Sequence, residues 1–174
     1  RVRTPVVDQI QIQTKDPFKV LVTTILSART KDETTSQAAK KLFEKVKNID
    51  DLEKISAEEL DSIIHQVGFH NAKTKYLKQL PSVLKEKFGG KIPSEIDELL
   101  QLPGVGRKTA NLVRAIAFSL PAICVDVHVH RICNRWGYVK TRTPYETEMA
   151  LRKILPEKYW LTFNSYVVAF GQNL

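Results

Sequence analysis

Only two cysteines, Cys124 and Cys133, occur in these 174 residues. Two are too few for a disulfide framework, and their spacing matches no common zinc or redox pair, so they read as buried thiols in a reducing compartment. No apolar run is long enough to span a bilayer, and residues 1–5 lack the apolar core of a signal peptide. The expectation is an intracellular protein with no membrane partner. There is no internal repeat and no low-complexity tract, which sets aside solenoids and disordered tails. Strand-like alternation is missing as well. His65, His70 and His130 form no ligand spacing, so no metal site is expected in this chain.

Against these absences stand a hydrophobic content of 43% and a charge of +8, from 27 Lys and Arg against 19 Asp and Glu. The first suffices for a buried core, and the second favours a polyanionic partner or, equally, ordinary solubility. Helix signals recur along the whole chain. Asp16-Pro17 is an N-cap with proline at the first helical position, followed by Phe18, Leu21, Val22, Ile25 and Leu26 at helical spacing. Thr30 to Glu33 and Ser56 to Glu59 have the pattern of capping boxes, opening segments that run to about Val46 and Val67. A helix is expected from Asn71 to Phe88, kinked at Pro81. Ser94 is expected to cap a short helix from Glu95 to Leu100. Further helices are expected over Arg107 to Phe118 and Val127 to Trp136, with the last two starting at Thr143-Pro144 and Leu155-Pro156. The fold class is therefore all-α, with nine to eleven helices.

The most informative stretch is Leu102-Pro103-Gly104-Val105-Gly106-Arg107-Lys108-Thr109-Ala110-Asn111. Two glycines, one residue apart, allow a tight hairpin between helices whose bare amides a phosphate can approach. Lys108 then falls in the first turn of the following helix, and Asp126 follows in Val125-Asp126-Val127-His128. From the hairpin alone Lys108 reads as a phosphate contact, and Asp126 reads as the N-cap of the helix beginning at Val127.

Four stretches together carry a family resemblance. They are Leu21 to Asp32, Gly68 to Lys73, the hairpin through Asn111, and Val125 to Arg131. With these motifs the chain resembles the endonuclease III-like DNA glycosylase/AP lyases of the helix-hairpin-helix superfamily, over nearly its whole length. The resemblance implies two helical lobes flanking a DNA-binding cleft: a six-helix barrel lobe over residues 10–120 containing the hairpin, and a second lobe from residues 1–9 and 121–174. It implies that Lys108 is a nucleophile, that Asp126 is its catalytic carboxylate, and that damaged pyrimidines are removed with cleavage of the abasic site. For the lysine this chemistry requires a neutral amine, which a helix N-terminus and neighbouring Arg107 favour and a nearby carboxylate opposes.

The same resemblance assigns DNA contacts to Gly104, Val105, Gly106, Arg107 and Thr109 of the hairpin, and to His128 and Arg131 beyond Asp126. It places Arg29 and Phe69 where relatives insert side chains into the space left by a flipped base. Many relatives have glutamine at the Arg29 position, and Arg29 also reads as a phosphate contact; Phe69 also reads as a core aromatic. Lys73 and Lys75 read as phosphate contacts or as a solvated helix face.

The implied partner is double-stranded DNA containing damaged bases or abasic sites. The implied protein is a monomer, in the cytoplasm of a prokaryote or the nucleus or mitochondrion of a eukaryote. Many relatives carry a [4Fe-4S] cluster on four cysteines, the first of which would come next after Leu174. The expectation is no cofactor on this chain, with the cluster held in the intact protein by cysteines beyond Leu174. Two other functions stay open: a monofunctional, mismatch-type glycosylase and a non-catalytic DNA-binding module.

Overall fold

In a computed structural model of the protein, residues 15–172 are described. The expectations for residues 1–9 and for the end of the chain at Asn173 and Leu174 lie outside them. Among the described residues every regular element is helical and no strand occurs. These residues divide into two compact units, the first ending at Phe118 and the second beginning at Ser119.

The first unit is organised around α1 (Pro17–Ser27), whose N-cap Asp16 accepts the Phe18 amide and whose first residue is proline. Every residue from Val20 to Leu26 is buried. Seven consecutive buried residues leave that stretch no solvent face, and α2 (Asp32–Lys45), α5 (His70–Phe88) and α7 (Arg107–Phe118) pack round it. Leu42, Leu77, Leu80 and Val113 are among the fully enclosed side chains of that core. Truncating any of these leucines to alanine would cost about 2–5 kcal/mol.

Between α2 and α5 lie α3 (Ile49–Lys54) and α4 (Ala57–Ile64). Ser56 caps α4 through the Glu59 amide as its pattern predicts. Helix α3 was not expected; it is short, and its signal is only the Asn48 side chain accepting the Asp51 amide and two acidic residues in the first turn. Two caps are corrected. The residue before α2 is Lys31, and Thr30 makes no cap because its hydroxyl is engaged elsewhere. The N-cap of α6 (Ile96–Leu99) is Glu95 rather than Ser94, whose carbonyl instead accepts from Arg114. Helix α5 continues through Pro81 to Phe88.

The second unit contains α8 (Val127–Arg135), α9 (Pro144–Ile154), a 3-10 turn at Glu157–Tyr159 and α10 (Trp160–Gln172). Ile123, Val129, Cys133 and Leu151 form its core. Thr143 caps α9 through the Glu146 amide while the Glu146 carboxylate takes the Arg142 amide, so two otherwise orphaned donors are satisfied reciprocally. His130 approaches the Thr147 hydroxyl at 2.7 Å, tying α8 to α9.

Candidate nucleic-acid interface and active site

The hairpin joins α6 to α7. Leu99, Leu102 and Val105 drop into the core of the first unit, and the Val105 amide donates to the Leu102 carbonyl, closing the turn. Burial of these three side chains leaves the intervening backbone outside. Gly104 and Gly106 are exposed. Gly104 adopts φ +73°, and a Cβ there would stand 2.7 Å from Cδ2 of Tyr76 on α5. Both facts require glycine: a side chain at this φ is strained, and the Tyr76 ring fills its space. Gly106 differs, since nothing lies within 4 Å of where its Cβ would be. Its carbonyl accepts the Ala110 amide and so starts α7. The opening amides of a helix have no intrahelical acceptors and carry the positive end of its dipole, so an anion is favoured in that open space.

Lys108 is exposed in the first turn of α7, and Arg107 beside it is half-buried. Thr109 is buried, and Asn111 turns its amide back to the Arg107 carbonyl at 3.1 Å. With the Val105 side chain also buried and its amide held by the Leu102 carbonyl, this residue braces the turn.

Arg29 and Phe69 lie 40 residues apart in the sequence, yet the Arg29 guanidinium carbon sits 5.5 Å from the centre of the Phe69 ring. Both are in the left-handed region, at φ +53° and +58°. Each such non-glycine residue costs about 1–2 kcal/mol, more than the ~0.5–1 kcal/mol an exposed cation–π contact returns, so other contacts must hold the pair. Phe69 is 62% exposed, which removes the core-aromatic reading.

Lys73 is among those contacts. Far from lying on a solvated face or reaching phosphate, it is 4% exposed. Its Nζ donates to the Leu26 carbonyl at 2.7 Å, the Ala28 carbonyl at 2.6 Å and the Thr30 hydroxyl at 3.1 Å. It thus closes the C-terminal end of α1, where cations are favoured. Burial pushes its pKa down to about 8, so the ammonium form still prevails near neutrality. The signal was present in the sequence: Lys73 precedes Leu77, Leu80 and Leu84 on one helical stripe, all of them buried. The Thr30 hydroxyl also accepts the Gly68 amide at 3.1 Å, and a Cβ on Gly68 would come within 2.5 Å of the Arg29 carbonyl. His70, at the start of α5, is 2.7 Å from the Asp61 carboxylate, whose pKa that contact lowers.

In the second unit Asp126 is the N-cap of α8, its Oδ1 accepting the His128 and Val129 amides at 3.0 and 2.9 Å. His128 and Arg131 are exposed on the same helix, beside an exposed Val127.

The described residues do not fit an iron–sulfur cluster. No three His, Cys, Asp or Glu side chains among them gather as a metal site. Cys124 and Cys133 are both buried, and burial pushes the Cys133 thiol up to about 11, away from the thiolate a cluster requires. No helix among the described residues is long and apolar enough to cross a membrane.

An all-helical chain with a glycine hairpin feeding a lysine into a helix N-terminus defines a helix-hairpin-helix protein. The chain belongs to the HhH-GPD superfamily of base excision DNA repair proteins, whose family model matches residues 22–157. It is 50% identical to the endonuclease III of Thermotoga maritima over 159 residues, covering 91% of this chain and 75% of that protein. It is 44% identical to the chicken endonuclease III-like protein 1, of which it spans 56%. Among solved structures it resembles a trapped endonuclease III–DNA covalent intermediate with an estranged adenine, at TM-score 0.85 and 37% identity, covering 91% of this chain and 75% of that one. A thermostable thymine-DNA glycosylase shares the fold at TM-score 0.81 and 28% identity, with 97% and 77% covered.

Proposed function

We propose that the protein is a bifunctional DNA glycosylase/AP lyase of base excision repair, acting as a monomer on double-stranded DNA with oxidised or otherwise damaged pyrimidines. The observation that carries this reading is the exposed lysine in the first turn of α7, directly after an open glycine hairpin, in a chain that superposes on an endonuclease III captured covalently on DNA.

The hairpin amides of Gly104 and Gly106, with Val105 bracing the turn between them and with Arg107 and Thr109 in the first turn of α7, hold a backbone phosphate without reading sequence. The damaged nucleotide turns out of the stack, and Phe69 with Arg29 fills the gap, offsetting the few kcal/mol that unstacking costs. The neutral Lys108 amine attacks C1′: the C–N bond to lysine forms as the glycosidic bond breaks and the base departs with that electron pair and a proton. Positive charge builds on the sugar during this step, and the Asp126 carboxylate stabilises it. Ring opening gives a Schiff base between Lys108 and C1′, with O4′ taking up a proton. Loss of a C2′ proton then expels the 3′ phosphate oxygen by β-elimination. His128 and Arg131 add contacts to the strand. No step passes through a cofactor.

Borohydride trapping on a duplex containing thymine glycol tests this reading. A covalent adduct is expected from the wild type and none from Lys108→Gln. Base release without an adduct would assign the chemistry to the monofunctional type. Binding with neither base release nor an adduct would leave only a DNA-binding module.

A further inference from the structure

Two loops that meet only in the folded chain, residues 28–30 after α1 and residues 68–69 before α5, present Arg29 and Phe69 as one stacked pair. Both residues hold left-handed backbone conformations that side chains disfavour. Something must therefore over-determine the two loops. The group that touches both sides of the junction is Lys73, in the first turn of α5. Its Nζ binds the carbonyls of Leu26 and Ala28 and the Thr30 hydroxyl, all on the α1 side. The same hydroxyl accepts the amide of Gly68, on the α5 side. The backbones approach so closely there that a methyl group on Gly68 would strike the Arg29 carbonyl.

We infer that Lys73 is a positioning residue that, through Thr30 and Gly68, locks Arg29 and Phe69 into a preassembled wedge, so that both side chains enter the DNA stack as one body. This inference rests on the reading of Arg29 and Phe69 as the gap-filling pair. A wedge ordered before contact with DNA does not have to be ordered during base extrusion, which lowers the cost of that step. Lys73 touches neither phosphate nor sugar in this account. Its effect is confined to insertion and leaves the grip of the hairpin on the backbone to other residues.

The test uses a readout in which no bond is broken. A duplex carries the abasic-site analogue tetrahydrofuran opposite 2-aminopurine, whose fluorescence changes when a side chain enters the stack beside it. At saturating protein the wild type gives the full change and Phe69→Ala gives none. For Lys73→Met the change falls to about one-tenth as the ordered wedge becomes a minor population, while affinity for an undamaged duplex stays within about threefold because the phosphate contacts are intact. Thr30→Val keeps both carbonyl bonds of Lys73, guards against a folding failure in Lys73→Met, and shifts the signal in the same direction by less.

A full wild-type signal from folded Lys73→Met overturns the inference, and so does a signal that falls only in step with duplex affinity. If Lys73→Met does not fold, an unchanged signal from Thr30→Val overturns it. A signal that persists in Phe69→Ala removes the wedge reading and this inference with it. A wild type that inserts normally yet gives no borohydride adduct sinks the lyase reading alone.

Discussion

Asp126 carries two duties that substitution can separate. As N-cap it holds two amides on one carboxylate oxygen, a task asparagine performs about equally well, whereas alanine would cost about 1 kcal/mol. As the proposed electrostatic partner of the sugar it needs its negative charge, which asparagine lacks. Asp126→Asn is therefore expected to melt within a degree or two of the wild type while base excision falls by about two to three orders of magnitude. Asp126→Ala should lose both activity and melting temperature. Near-normal excision by the Asn variant would reduce the residue to a cap. Thr23, on the buried face of α1, offers a purely structural test. Its Oγ1 is buried and finds no partner among the described residues, so replacing it with a methyl group removes an unmet desolvation cost of about 1–3 kcal/mol. Thr23→Val should raise the melting temperature, and a fall would contradict the geometry.

The two hairpin glycines make different predictions although the sequence presents them as a pair. Gly104→Ala meets positive φ and the Tyr76 ring, so it should destabilise the free protein by about 1–3 kcal/mol in chemical denaturation. Gly106→Ala meets nothing. It should leave stability within about 0.5 kcal/mol and weaken binding to damaged and undamaged duplexes alike, because only an arriving phosphate occupies that space. A selective loss for one lesion would contradict a backbone role. Helix α5 acts as a scaffold in the same region. Tyr76 backs the hairpin, Lys73 closes α1, and Lys78 donates to the carbonyls of Leu52, Glu53 and Ile55 at the end of α3. Its lysine-rich sequence resembles a basic DNA-binding face, and much of that charge is instead spent on helix C-termini and on the Lys85 pairs with Asp50 and Glu53.

For the molecule as a whole, the +8 charge supports duplex binding that weakens by about a hundredfold or more as salt rises from roughly 50 to 200 mM. Because Lys78 is committed to carbonyls, Lys78→Met should lower the melting temperature without changing the slope of log affinity against log salt. Arg107→Gln, which removes a cation assigned to the phosphate, should make that slope shallower by about one charge. A shallower slope for Lys78→Met would instead place that residue on the DNA-binding face. The net charge thus points to the class of partner correctly while saying little about which cations meet it.

Local chemistry made the helices legible before folding was considered. Asp16-Pro17, Ser56, Asp126 and Thr143-Pro144 are caps whose partners lie two or three residues away, and the Gly104 to Lys108 spacing places an amine after a tight turn in any helical context. Where a hydroxyl found a distant partner, reading by local pattern failed: Thr30 serves Gly68 and Lys73 rather than α2. The Arg29–Phe69 stack and the burial of Lys73 depend on contacts spanning 40 or more residues. Capping and helix periodicity act within one turn and are written in neighbouring residues. Which acceptors a buried ammonium finds depends on how separate helices pack, and only the folded chain brings those helices together.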